Sequence, residues 1–507
     1  MKSAIRNSVF LFFGLVLFHL AGTWSLPLID RDEPRFAEAS REMIQRADYI
    51  VPYFNNQLRL DKPPLAYWAQ VASYRIFGES DFSARFPSAI AAALVALVIC
   101  AWSRRNGATS VGWWAAIIFT LSLQTFVHAK AAVADMWLVL FMTLAHWSGY
   151  ELLSRSSPGA ERQMPARLGT VTPYHQTRWW LTFYLSLAFG FLAKGPIAWL
   201  PLLTVGATII LARDWQLARH IKLLRGILLM LALVALWGIP ALVQTHGQFL
   251  AIGIGRHVIS RSLATMEGHG ASSFGMYLLL LPFYFVTIFI SFFPWSIKLP
   301  WLIRQLWRQR KDGVADPGYS RSQFDNYLLT GIAIIFVTFT LVATKLPHYT
   351  LPAFPLLALL LARHWQGAVA ITNHGSFRTV AITSACLGIA IALIIPPAVA
   401  RFFPAYQLFR ESRPYLQPNM QFASVEFEEP SVVWYFRSRV QSFLTRLNKK
   451  NAVDFMSGTG PRFVIVPTSI VQALFPKPPQ TWTSFPTRGF NITKGKQVDL
   501  TLVLKSE

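Results

Sequence analysis

Apolar runs of about twenty residues recur along this chain, and nothing else limits its fold so strongly. Spans are expected near 8–25, 86–102, 111–127, 135–153, 179–193, 196–212, 224–243, 276–297, 327–343, 350–363 and 379–399, about eleven in all; short or re-entrant segments would raise the count to twelve or thirteen. Of the 507 residues, 53% are hydrophobic and 14% are charged. A soluble domain carries about 25% charged residues, so the chain reads as an all-α polytopic membrane protein. The first run is read as an uncleaved span, because Asp30-Arg31-Asp32-Glu33 follows it instead of a small-x-small cleavage site.

The formal net charge of +23 invites a nucleic-acid reading. The basic residues are instead spread over loops: Arg104-Arg105, the 155–178 segment, the 213–225 segment and the 304–321 segment. Positive-inside topology and attraction to anionic membrane lipids explain that excess without nucleic acid. With Lys2 and Arg6 inside, those loops all fall inside, and 26–85, 128–135, 244–275 and the tail fall outside. Cys100 and Cys386 both lie in apolar spans, which argues against a disulfide and excludes a cysteine metal site.

The chain divides into a membrane part, 1–399, and a soluble outer part, 400–507. The first outer loop is expected to hold interfacial amphipathic helices, with Phe36, Ala39, Met43 and Ile44 near helical spacing. The tail has strand-like runs at Ser431–Phe436, Arg462–Val466 and Val498–Leu504, with a turn at Gly458-Thr459-Gly460-Pro461, and reads as a small α/β domain.

Charged residues at a membrane surface are costly and rarely idle. Asp32 and Glu33 could take a proton from an attacking hydroxyl or hold a metal, or simply complement the dipole of a helix begun at Pro34. Asp61-Lys62-Pro63-Pro64 is a rigid charge pair; Lys62 suits a phosphate, or snorkels beside its acid. Asp135 opens a span and could act in a site or pair with Lys130. Lys194 and Lys345 each stand at an outer span end, where positive-inside statistics disfavour them unless they bind an anion or snorkel. His257 and His269 could join Asp61 or Asp32 around a divalent ion, although the chain has no HxH or HExxH spacing. His348 could contact an anionic headgroup.

At these residues the chain resembles the GT-C membrane glycosyltransferases. It is most similar to the polyprenyl-phosphate-sugar transferases typified by the lipid A aminoarabinose transferases, and more loosely to protein mannosyltransferases. Two stretches carry the likeness: Asp32-Glu33-Pro34-Arg35-Phe36 through Met43, with Asp61-Lys62-Pro63-Pro64, Tyr67-Trp68 and Arg85-Phe86-Pro87; and Lys345-Leu346-Pro347-His348-Tyr349-Thr350-Leu351-Pro352. It implies a GT-C fold over residues 1–400 and a site at the periplasmic face of a bacterial inner membrane. It also implies an undecaprenyl-phosphate-linked sugar as donor, with lipid A, another glycan or a protein as acceptor. Asp32, Asp135 and Glu33 are then the catalytic candidates. Lys62, Lys345, Arg59 and Lys194 would hold the donor phosphate, and Tyr67, His348 and Tyr349 would hold sugar or acceptor. Asp61, His257 and His269 are candidate ligands for zinc or magnesium; Asp61 stands where the relatives usually have Glu, which shortens its reach. A lipid transporter, with its charges at the membrane midplane, is the rival from another class.

Overall fold

The computed structural model describes residues 2–154, 173–260, 273–315, 322–369 and 375–507. Seven helices open the chain: α1 Lys2–Leu20, α2 Asp32–Arg46, α3 Leu65–Phe77, α4 Asp81–Arg105, α5 Thr109–Leu121, α6 Leu123–His128 and α7 Asp135–Ser154. Each expected span contains helix. Among the described residues, Asp81–Arg105, Gln216–Gln244, Gln323–Leu341 and Gly375–Ala400 are each long and apolar enough to cross a membrane unbroken. The 276–297 run is not one straight span: Phe283–Ser291 and Trp295–Gln309 are bent by 120° relative to each other. Pro294 lies in that break and has no N–H to continue the hydrogen-bond ladder. Other spans are interrupted in the same way, with 3₁₀ turns at Pro196–Trp199 and Pro347–Ala353 leading into helices.

Lipid, not water, explains the outer surface, where Leu236 and Ile394 are 75% and 69% exposed. Inside, α4, α5, α7 and the Pro173–Lys194 helix share a core around Trp102, Phe119 and Phe183. Gly226 lets the Leu223–Gln244 helix press onto Tyr184, since a Cβ there would lie 1.9 Å from the ring. The Tyr184 hydroxyl donates to the Ile221 carbonyl at 3.0 Å.

Several loops gather at one end of the bundle. Lys130 donates to the Phe18, His19 and Ala21 carbonyls at 2.8–2.9 Å, so it satisfies the C-terminal carbonyls of α1 and does not pair with Asp135. Gly22, just beyond α1, lies against the Ala392 carbonyl near the end of the Gly375–Ala400 span.

On this side α2 is buried on both faces. Phe36, Ala39 and Met43 pack on Tyr67 and Val71 of α3. Its charged residues Glu33, Glu38, Arg41 and Glu42 are buried as well. The expectation of a half-solvated interfacial helix is therefore corrected, because the C-terminal part of the chain covers the polar face. Arg437 pairs with Glu38 and with Glu42 at 3.1 Å. Arg41 pairs with Glu38 and Glu79, both at 2.6 Å, and its guanidinium lies 3.9 Å over the Trp434 ring.

The tail folds as a five-stranded sheet with helices. Strands β3 (Gln421–Val425), β4 (Thr445–Leu447), β5 (Arg462–Pro467), β6 (Trp482–Asn491) and β7 (Lys496–Lys505) run in the order β4-β3-β5-β7-β6. The first three are parallel, and β7 pairs antiparallel with β5 and β6. A two-stranded hairpin, β1 (Tyr53–Phe54) and β2 (Gln57–Leu58), lies in the first loop. Ser431–Phe436, expected as strand, is a helix from Pro430. Proline at the first helical position costs no hydrogen bond, and all seven residues of the helix are buried.

Candidate active site

Helix ends build the site. Asp135 is the first residue of α7, Lys194 the last of the Pro173–Lys194 helix, and His348 and Tyr349 stand in the 3₁₀ turn before the Phe354–Val369 helix. With Lys62 they line one cavity of about 280 Å³, walled by Leu138, Ile197 and Phe339. Lys194 Nζ lies 2.5 Å from Asp135 Oδ1, and His348 Nε2 lies 3.9 Å from the same oxygen. Lys194 Nζ is also 5.9 Å from the centre of the Tyr349 ring. Five residues singled out in the sequence, from four distant places in the chain, thus meet in one space.

A second cavity of about 380 Å³ adjoins it. Lys62, Lys194 and Pro196 belong to both, and Phe191, Leu231, Trp237 and Phe249 make the second one apolar.

Beside Lys62 stands a charged file. Arg59 is 3.2 Å from Asp61 Oδ1 and donates to the Tyr67 hydroxyl at 2.9 Å. Asp61 also pairs with Lys62 at 3.8 Å. Burial works against the Arg59 charge, but Asp61, Tyr67 and Asp32 outweigh it and hold the guanidinium above its ordinary value. Burial pushes the Tyr67 hydroxyl well up, against the pull of Arg59. Burial and then Arg59 lower Arg35, while Asp32 and Asp61 support its charge. Asp32 itself is exposed in the first turn of α2, at the edge of this file.

Three sequence expectations need correction. Glu33 is a structural anchor: its carboxylate takes two guanidinium bonds from Arg85, at 2.9 and 2.7 Å, and the Ile29 and Ala132 N–H groups at 2.7 Å. At 4% exposure and with every lone pair engaged, it has nothing left for substrate. Lys345 donates to the Phe339, Thr340 and Val342 carbonyls at 3.1, 2.5 and 2.7 Å, capping the Gln323–Leu341 helix, so its three donors are spent. Tyr67 is fully buried against Phe36 and orients Arg59.

For a metal, His128, Asp135 and His348 have ligand atoms within 4.8 Å of one another. His128 Nδ1 lies 3.2 Å from the Gln124 carbonyl, the kind of contact that fixes a metal-binding imidazole. Burial lowers the His128 basicity, opposed by Asp135. Sequence reasoning missed His128; its only signal is the spacing of seven to Asp135 across a turn. Asp61 is engaged by Arg59 and Lys62. His269 and the side chain of His257 lie outside the described residues.

A family model described as dolichyl-phosphate-mannose-protein mannosyltransferase matches residues 61–160. The undecaprenyl phosphate-alpha-4-amino-4-deoxy-L-arabinose arabinosyl transferase of Aeromonas hydrophila is 28% identical over 406 residues, 78% of this chain and 66% of that one. The protein of the same name from Pectobacterium carotovorum is 29% identical over 396 residues, 76% and 63% of the two chains. The matches thus span just under two thirds of those relatives' length. The crystal structure of ArnT from Cupriavidus metallidurans bound to undecaprenyl phosphate superposes with a TM-score of 0.73 at 18% identity, covering 97% of both chains. Its apo form gives 0.72 at 19%, covering 99% and 98%.

The fold is that of a multi-pass membrane protein of the GT-C class. The chain shares the fold of the two ArnT structures over almost its whole length, and over about three quarters of its length it is similar in sequence to the arabinosyl transferases named above.

Proposed function

We propose that this chain is a membrane glycosyltransferase that moves a sugar from an undecaprenyl-phosphate donor to an acceptor such as lipid A, at the periplasmic face of the bacterial inner membrane. One observation carries the reading: the cavity that holds Asp135 and His348 and a second, more apolar one share Lys62 and Lys194. That is the shape of a site for a phosphate on an isoprenoid tail. The curated relatives' names and the undecaprenyl phosphate bound to the ArnT structure support the same donor.

The acceptor oxygen attacks the anomeric carbon, and the bond from that carbon to the phosphate oxygen breaks. The lipid phosphate leaves with an added negative charge. Lys62 and Lys194 lie where that charge grows, and Arg59 adds to the field from behind Asp61. When phosphate approaches, Lys194 exchanges Asp135 for it, and His348 remains beside the carboxylate. Asp32, at the open end of the file, orients the acceptor and takes its proton if the acceptor is a hydroxyl. A phosphate acceptor, as on lipid A, brings no proton to remove, and Asp32 then serves binding alone.

His128, Asp135 and His348 would hold a divalent ion. Two imidazoles with one carboxylate suit zinc better than magnesium, and the ion would supply further positive charge at the phosphate. The division into a membrane part, 1–399, and an outer part, 400–507, follows the change from spans to sheet. We assign the outer part to capping the α2 side of the site.

The test presents the purified protein with polyprenyl-phosphate sugars and with lipid A, glycan and peptide acceptors, reading products by mass spectrometry. A mass gain on lipid A that vanishes in Lys62→Ala supports the reading. A gain only on glycan or peptide moves the acceptor. No product from any donor, with lipid flipping in vesicles, would replace the transferase by a transporter.

A further inference from the structure

A third groove, of about 680 Å³, lies away from both cavities, where the Gly375–Ala400 span ends. Only 17% of the apolar window of that span is buried in protein, so lipid surrounds it. Arg401 and Phe402 follow directly. The edge strand β6 is clamped to the same point: the Phe490 N–H donates to the Phe402 carbonyl at 2.8 Å. Gly489 permits this approach, since a Cβ there would lie 2.8 Å from Pro404.

The clamp fixes the height of the groove relative to the bilayer. The headgroup layer is about 5–7 Å deep on each side, and a residue or two beyond the span lies within it. Phe402, Phe490 and Ile492, exposed by 47%, 41% and 41%, therefore face the boundary between acyl chains and headgroups. Arg401 lies 4.9 Å over the Phe402 ring. Arg488, also lining the groove, is held by Asp499 at 3.4 Å and by Gln497 at 3.1 Å, with its side chain 73% exposed. On the outer face assigned above, arginines run against the positive-inside trend. Arginine's planar fork matches a phosphate oxygen pair.

We propose that this groove binds an anionic phospholipid, its phosphate on Arg401 and Arg488 and an acyl chain against Phe402, Phe490 and Ile492. The bound lipid ties the C-terminal sheet to the bilayer. The inference does not depend on the transferase reading.

The full chain would be purified in detergent and titrated with phosphatidylglycerol and phosphatidylcholine, with bound lipid counted by native mass spectrometry. Phosphatidylglycerol is expected to bind more tightly. In Arg401→Gln/Arg488→Gln its affinity should fall by about 30-fold, with a smaller loss for phosphatidylcholine, whose choline offsets its phosphate charge. Phe490→Ser should weaken both lipids. Equal binding of the two lipids by the unaltered protein, or unchanged phosphatidylglycerol binding in the double variant, overturns the site. Displacement of bound phosphatidylglycerol by lipid A but not by inorganic phosphate would assign the groove to the acceptor and also overturn it. Should the double variant fail to fold, the comparison of two lipids on the unaltered protein still decides.

Discussion

Lys194 Nζ and Asp135 Oδ1, 2.5 Å apart and on different helices, form a charge pair in the wall of the first cavity. The pair keeps a carboxylate and an ammonium tolerable near the bilayer and holds the lysine ready for a stronger anion. Lys194→Ala and Lys62→Ala are each expected to lower turnover by about 10²–10³-fold, the usual loss for one donor facing a developing oxyanion. Steady-state kinetics with a polyprenyl-phosphate sugar checks this. Unchanged turnover in both variants would remove the lysines from the phosphate site.

Asp32 separates two acceptor chemistries. With a hydroxyl acceptor, Asp32→Asn should cost about 10²–10⁴-fold in kcat, the range for losing a general base. With a phosphate acceptor, the loss should appear mainly in KM. Parallel assays on lipid A and on a neutral glycan distinguish the two.

Glu33 is expected to matter for folding. Glu33→Ala leaves Arg85 buried and unpaired, and breaking such a pair costs about 3–5 kcal/mol. A large drop in thermal midpoint and in yield is expected. A stable, inactive Glu33→Ala protein would instead return Glu33 to the chemistry.

Asp30 gives a pH signature. It accepts from the Ser431 N–H at 2.9 Å and the Ser431 hydroxyl at 2.5 Å, and burial raises its carboxyl to about 7, with the Ser431 bonds opposing. A carboxyl raised on folding adds stability while protonated, present below the ordinary value near 4 and lost as pH rises through about 7. The difference in melting temperature between Asp30→Asn and the unaltered protein should therefore widen from pH 4.5 to pH 7.5, with the variant higher. A constant difference would show that Asp30 does not titrate there.

Because Lys62, Lys194 and Arg59 already surround the leaving phosphate, transfer is expected to survive a chelator. Loss of transfer on chelation, with restoration by zinc but not in His128→Gln or His348→Gln, would make the ion part of the reaction.

The spans were legible because lipid demands long apolar runs, and Lys62, Asp135, Lys194, His348 and Tyr349 because charge and polarity at span ends need a reason. What stayed hidden depends on partners distant in the chain. Nothing local marks Glu33 as Arg85's partner while leaving Asp32 exposed. Lys345 looks like an anion ligand until the carbonyls ending its own preceding helix are located. The strand-like Ser431–Phe436 is helical because tertiary burial outweighs the β preference of Val, Trp, Tyr and Phe. His128 carries little signal beyond its spacing to Asp135, because only the fold brings it to Asp135 and His348.

The cover over α2 has a consequence for biogenesis. Glu38 and Arg437 are 399 residues apart. At about 5–20 residues per second, the ribosome finishes the second only tens of seconds after the first. During that interval the polar face of α2 lacks its cover of Trp434 and Arg437. A protein truncated within the last span would leave Glu38 and Glu42 without Arg437, with Arg41 and Arg46 as their remaining partners.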